Sequence, residues 1–516
     1  VKPVSTQQGL KTHFIKLKVG VALVMAALFF VLAAAAVAGL IWAGLVVGEG
    51  AAVHLRGRTL ILGLLLACSF FCAAAIIAWS LLPRIDRFEP PGPALSPSQH
   101  PALFAEIARV AARTGQAPPT QVYLVAEPNA FVAQRGGLMG LFSRRVMGVG
   151  LALLNVVTVS ELRAVLTHEF GHFAGGDTRL GPWLHKARRA LVRTVANLQG
   201  AADSSANGSG ELGLLSAIFS AIKAPFRWYA LLYLRMTQSL SRAQEFAADA
   251  LAVRLEGQAA FINGLARIRE AGAVWSVYLE REVLPVLGER ALPPLGSGFQ
   301  SFLGAPRITE ALSHLHAEPE NEPVDPYDSH PPFAQRVAQA RAIAGSQPRS
   351  DDRRAIELLS DVPGVEAVLA AAWVEGDVSP VAWSATGELL ARNWDESLKE
   401  SEVLLSGMTP ATVPLSDEAM ASLAQRRLPA EVLRGLDLDT LPGQVRSVFG
   451  LALSALLRRH GFEVHNAPGE LLWFVRGGET VQPEVMLGEC VAGKLSAEDW
   501  RAQWEALGLA DRALSA

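Results

Sequence analysis

The chain has 516 residues, half of them hydrophobic, with a formal net charge of -3. That length allows roughly two or three domains with cores of their own, and the near-neutral charge excludes the basic footprint of a nucleic-acid binder, so no nucleic-acid partner is expected. Three cysteines are too few for a disulfide framework, and Cys68 and Cys72, spaced unlike a CxxC pair, read as packing residues inside an apolar run.

Two long apolar runs open the chain. Val19 to Gly48 contains no charged residue, and Thr59 to Pro83 is the second such run. Each exceeds the ~20 residues that carry a helix across the hydrocarbon core, and the first is too long for a cleaved signal peptide. Residues 1–83 are therefore expected to form a membrane region with two transmembrane helices, at about 19–48 and 59–83, in contact with the lipid bilayer. Lys2, Lys11, Lys16 and Lys18 precede the first run, Arg56 and Arg58 lie between the two, and Arg84, Arg87, Arg109 and Arg113 follow the second. The excess of positive charge places the N-terminus and everything after residue 83 in the cytoplasm, as expected of a multi-pass protein of the cell (inner) membrane.

Next come a proline-rich linker over residues 88–101 and an apolar-periodic helix in "HPALFAEIARVAARTG". Gln121–Val125 and Arg145–Leu151 read as short strands flanking "PNAFVAQRGG". "NVVTVSELRAVLTHEFGHFAGG" reads as a helix, with Thr158 and Glu161 spaced as a capping box and Gly175 and Gly176 able to end it. Residues 182–199 and 212–236 are amphipathic around a flexible loop at 201–210. They either pack on the domain or lie in the membrane interface, and Lys223, Pro225 and Arg227 weigh against a further full span. An acidic, proline-rich loop covers 316–332, and "FAQRVAQARAIAG" is a helix. From about residue 350 the composition shifts, with helical stretches and then a hairpin turning at Gly477-Gly478.

The chemistry lies in "LTHEFGHFAGGD", residues 166–177. On a helix, His168 and His172 project from one face, one turn apart, and can bind one metal ion. Glu169 can take a proton from water beside it, the logic of an HExxH zinc site. Val165, Leu166, Phe170 and Phe173 leave both imidazoles partly buried, which argues against surface histidines. A third protein ligand is needed. A metzincin site would place it at Thr178, which cannot serve, with Asp177 one residue early. "SLSRAQEFAADALAV" is the better source. Glu245 and Asp249 are four apart on a second helix, so one carboxylate can complete a His/His/Glu set while the other orients a ligand imidazole.

These stretches, together with "PNAFV", "RRVMGVGLALL" and "SHPPFAQRV", stand in the order found in HtpX-type membrane zinc metalloproteases. That gluzincin family includes the CAAX prenyl endopeptidases, and the chain resembles it over most of residues 84–345. The resemblance implies an N-terminal transmembrane hairpin and a gluzincin-type protease domain over 84–345; with a C-terminal α+β region over 346–516, which has no counterpart in the family, the expected fold is α+β, mainly α-helical. It implies one Zn2+ per chain held by His168, His172 and Glu245, with Glu169 catalytic. Asp249, Arg336 and Asp177 would support the ligands, and His330 would stabilise the oxyanion. Asn129 and the strand near Val149 would line a cleft where an extended peptide adds as an edge strand. The implied substrates are proteins or peptides, membrane or misfolded ones in quality control. Prenyl-protein processing fits poorly, because too few spans are visible to enclose a chamber. The rival reading is a zinc-binding scaffold that does not cut, or an adaptor acting through residues 346–516. An intact Glu169 speaks against the scaffold, since a structural metal has no use for a base.

Overall fold

The computed structural model describes residues 6–82, 88–137, 143–174, 181–206, 211–317, 331–344, 349–374 and 376–515, apart from a few positions between 430 and 438. Two helices, α1 (Thr6–His54) and α2 (Gly57–Leu81), form the N-terminal hairpin. Both contain stretches long and apolar enough to cross a membrane, and only 22% and 28% of those stretches is buried by the rest of the chain. Outward faces this apolar need apolar surroundings, unlike the core helix of a water-soluble domain. Cys68 and Cys72 correct the packing expectation: they lie on the exposed side of α2, their Sγ atoms 4.0 Å apart.

Beyond the hairpin, α3 (Pro101–Thr114) starts on a proline, whose missing N–H costs nothing there, and ends on left-handed Gly115 (φ 66°). Its Leu103, Ile107 and Val110 face the core. A four-stranded sheet follows, in the order β1-β2-β4-β3. The strands are β1 (Ala94–Leu95), β2 (Gln121–Val125), β3 (Ala130–Arg135) and β4 (Arg144–Gly150). β4 is central, parallel to β2 and antiparallel to β3. "PNAFVAQRGG" is therefore largely a third strand, where the sequence pattern marked only two.

The stretch expected as one helix breaks after α4 (Leu151–Val156) and resumes as α5 (Val159–Ala174). Thr158 and Glu161 form the expected capping box: Glu161 N donates to Thr158 Oγ1 (3.2 Å) and Thr158 N to Glu161 Oε2 (2.8 Å). Gly175 and Gly176 lie outside the described residues. α5 is buried nearly all round. Leu162, Leu166 and Phe170 enter the main core with α3, the sheet and α8 (Gln258–Tyr278), while Ala164 packs with Ala252, Val253 and Phe261.

α6 (Gly181–Ala206) and α7 (Glu211–Glu256) form a long hairpin. The expected flexible loop at 201–210 is helical through Ala206, and 207–210 lie outside the described residues. Ala187, Leu191 and Leu198 of α6 and Phe226, Ala230 and Tyr233 of α7 pack against Ala26, Phe29, Ala73 and Ile77 of the N-terminal hairpin. Polar groups that obscure this in the sequence bond within the bundle: Lys223 Nζ to Gln199, Asn197 to Ser80 (2.9 Å), and the Tyr229 hydroxyl to the Met25 carbonyl (2.6 Å).

Beyond the boundary expected at residue 345, the chain still packs on the core that surrounds α5. Ala355, Ile356, Leu358, Leu359, Leu369 and Ala370 belong to the protease core. Val159 N donates to Arg353 O and Ala355 N to Val157 O, so this segment clamps the entry to α5. A separate core begins near Ala391 and ends at Leu514. It contains an antiparallel meander of Glu463–His465, Trp473–Arg476 and Glu479–Val481. The turn expected at Gly477-Gly478 has both residues at positive φ (58° and 91°), as a two-residue hairpin requires.

Candidate metal centre

α5 presents His168 and His172 on the face that meets α7. Their rings are 4.8 Å apart, edge to face. α7 answers with Glu245 and Asp249, 6% and 1% exposed. His168 Nε2 lies 3.6 Å from Glu245 Oε2, and His172 Nε2 lies 3.6 Å from Glu245 Oε1. These separations are too long for hydrogen bonds. They match the edge of a tetrahedron whose metal–ligand bonds are ~2.0–2.2 Å, about 3.3–3.6 Å. Two imidazole nitrogens and one carboxylate converging this way could hold a divalent metal ion, and donors of this kind fit zinc. The His168, Glu169 and His172 donor atoms lie within 4.8 Å of one another, which keeps Glu169 beside the set.

Behind the histidine, His168 Nδ1 lies 2.8 Å from Asp249 Oδ1. A proton on Nδ1 leaves the Nε2 lone pair for the metal. Arg336, on α9 (Phe333–Arg341), grips Asp249 through both guanidinium edges: Nε to Oδ2 (2.9 Å) and Nη2 to Oδ1 (2.6 Å). Burial works against the Asp249 charge, but bonds from Arg336 and His168 outweigh it and hold the carboxyl below the usual range. Arg336 is buried too; Asp249, with the fields of Glu245 and Glu169, keeps its guanidinium more basic than usual despite that burial.

One contributor goes unnoticed in the sequence reading. A Cβ on Gly171 would meet Ala248 Cα at 3.0 Å and its Cβ at 3.1 Å. The close approach of α5 to α7, on which ligand convergence depends, needs a glycine facing an alanine. A glycine inside a helix costs ~1 kcal/mol against alanine, and that anomaly is the signal that could have found it.

Of the remaining expected residues, Asp177 and His330 lie outside the described residues. Asn129 is exposed at the start of β3, its Oδ1 accepting from Ala130 N (2.8 Å) and its carbonyl accepting from Gly150 N (2.8 Å). Val149 does not line a cleft. It is fully buried, and its strand is paired on both sides, to Leu124 and to Ala130. The edge beside α5 is β3 instead.

Two histidines and two glutamates gathered on two helices, with a buried Asp–Arg pair behind them, are compatible with a metalloprotease centre. Residues 97–344, just under half of the chain, match peptidase family M48, and this part of the chain is an M48 peptidase domain of the HtpX type. It is 28% identical to a protein named Protease HtpX from Xanthomonas axonopodis pv. citri, over 44% of this chain and 67% of the relative. A Protease HtpX homolog from Acidiphilium cryptum is 27% identical over 47% and 74%. Another, from Desulfatibacillum aliphaticivorans, is 26% identical over 51% and 76%. No solved structure matches. The protein is a protease, with two apolar N-terminal helices suited to a membrane anchor.

Proposed function

We propose that the chain is a zinc-dependent endopeptidase held at the cytoplasmic face of the cell membrane, acting on proteins or peptides in membrane-protein quality control. The observation that carries this reading is the pair of 3.6 Å approaches from His168 and His172 to the two oxygens of Glu245, with Asp249 seated behind His168. Zinc at such a set supplies Lewis acidity toward a carbonyl oxygen and toward water. Glu169 moves the proton, accepting it from the attacking water and delivering it to the nitrogen of the leaving amine. Asp249 and Arg336 keep His168 in one orientation and one tautomer. The substrate lies extended along β3, exchanging backbone hydrogen bonds with the strand edge, and Asn129 marks the end of that groove.

Glu169→Gln tests the role of the base. The amide keeps the shape but cannot take a proton, so cleavage of an unfolded reporter protein should fall ~10²–10⁴-fold while metal content stays at that of the wild type. Undiminished cleavage by a clean preparation of this variant would end the assignment.

A further inference from the structure

A cavity of about 220 Å³ opens at the end of α7 remote from the N-terminal hairpin. It is lined by Arg109 and Arg113 of α3, Ser160 and Arg163 of α5, Glu256 of α7, and Arg349. Four guanidiniums thus line it against one carboxylate. Two of the four are held from within. Arg163 is bidentate to Glu106 (2.7 and 2.8 Å) and reaches Asp351 at 3.3 Å; Arg113 bonds Glu256 (2.8 Å) and the Leu255 carbonyl (2.6 Å). The other two are held less tightly. Arg109, half-exposed, makes only a 3.7 Å ion pair with Glu106, whose carboxylate already binds Arg163, and Arg349 makes no hydrogen bond or ion pair among the described residues. Ser160 stands in the first turn of α5, where the helix dipole adds positive potential.

We propose that this cavity binds a small phosphate-class oxyanion from solution, of the size of orthophosphate or pyrophosphate. The chemistry follows from the donors. Guanidinium forks match tetrahedral oxyanions two bonds at a time, and a fixed pair of arginines backed by two more loosely held ones is pre-organised for a multiply charged anion. The size follows from the volume, which lies below the ~300–1,000 Å³ of sites for drug-sized ligands. The soluble source follows from position. From Tyr229, bonded to Met25 of α1, to Glu256, α7 runs 27 residues, about 40 Å at the helical rise, well beyond the half-thickness of a bilayer. A bound anion would join α3 to the start of the helix that carries His168 and His172.

The test is titration of the full-length protein in detergent with inorganic phosphate and pyrophosphate, against potassium chloride at matched ionic strength. Calorimetry and the thermal midpoint give the readouts. The expected result is saturable binding of one pyrophosphate per chain with a raised midpoint. Arg109→Ala and Arg349→Ala, neither of which touches the metal centre, and of which only the first removes a 3.7 Å contact with the Glu106 of an inner pair, should each weaken binding about tenfold or more, with metal content unchanged. No saturable effect beyond the chloride control, or wild-type binding in both variants, would overturn the proposal. Displacement of pyrophosphate by phosphatidylglycerol vesicles but not by phosphatidylcholine vesicles, abolished in the same variants, would move the phosphate to a lipid headgroup and overturn the soluble source.

Discussion

Replacing Asp249 by asparagine separates what holds the fold from what holds the metal. The carboxylate is 1% exposed and takes two bonds from Arg336 and one from His168. Asparagine has nearly the same shape, but it has one acceptor oxygen and a donor amide where the second acceptor was. At least one of the three bonds is lost, and the Arg336 charge stays buried without its partner. Breaking a buried ion pair from one side costs ~3–5 kcal/mol. Losing the group that orients a ligand histidine costs ~10–100-fold in metal affinity, or about 1.4–2.7 kcal/mol. The two losses can be read apart by adding Arg336→Met. The double variant carries no stranded charge, so its urea midpoint should recover most of the way to wild type. Its zinc affinity, from competition with a chelator of known strength, should stay as low as in Asp249→Asn alone. If Asp249→Asn keeps wild-type affinity, Asp249 does not act through His168. If the double variant regains affinity, the carboxylate acts only by neutralising Arg336. Either result refutes the role given to it.

Three further outcomes follow from the same geometry. Glu245→Ala should remove metal and cleavage together, measured as metal per chain and turnover of an unfolded protein; full metal in the variant would place the third ligand elsewhere. Gly171→Val should force α5 and α7 apart at Ala248, costing ~1–3 kcal/mol in the thermal midpoint and lowering metal retention, whereas the same change at Gly213, with open space around it, should leave retention unchanged. Asp351 is held at a pKa of about 2, first by its hydrogen bonds from Arg353, with burial opposing and Arg163 adding to the effect. Its folded pKa lies below the unfolded value of ~3.9, so its stabilisation is complete above pH ~4 and fades as pH falls toward 2. Asp351→Asn should flatten the midpoint-against-pH curve in that window; an unchanged curve would remove Asp351 from the account.

The helix that carries His168 and His172 was legible because its signals are local. The Thr158–Glu161 box and the four-residue spacing of His168 and His172 act within one or two turns, and the Gly477-Gly478 turn is equally short-range. The pairing of Glu245 with those histidines was readable from spacing and resemblance together. What escaped depends on distant partners. β3 became a strand because β4 offers it an edge, and its own residues alternate weakly. Val149 looked like a cleft residue because the sequence does not say which strand is central. The union of α6 and α7 with the N-terminal hairpin was hidden because Lys223, Asn197 and Tyr229 look costly until Gln199, Ser80 and the Met25 carbonyl are found beside them. Residues 355–370 joined the protease core because backbone bonds to Val157 and Val159 draw them there, a link no composition shift could reveal.

α7 is one continuous helix of 46 residues, and it is gripped at two places. Phe226, Ala230 and Tyr233 fix its azimuth among α1, α2 and α6, while Glu245 and Asp249 must meet α5 at a set angle further along. Each residue turns a helix by about 100° and advances it ~1.5 Å. The two grips are therefore in phase, like the wards of a key cut on one shaft. One residue inserted between Tyr233 and Glu245 would swing the carboxylate a quarter-turn and more away from His168 and His172 without altering any side chain at the centre. Seven would restore the heading to within about 20° but carry it ~10 Å too far. The twist of a helix among its neighbours near the membrane is thus a setting of the hydrolytic chemistry, and whatever turns α7 there retunes the site from a distance.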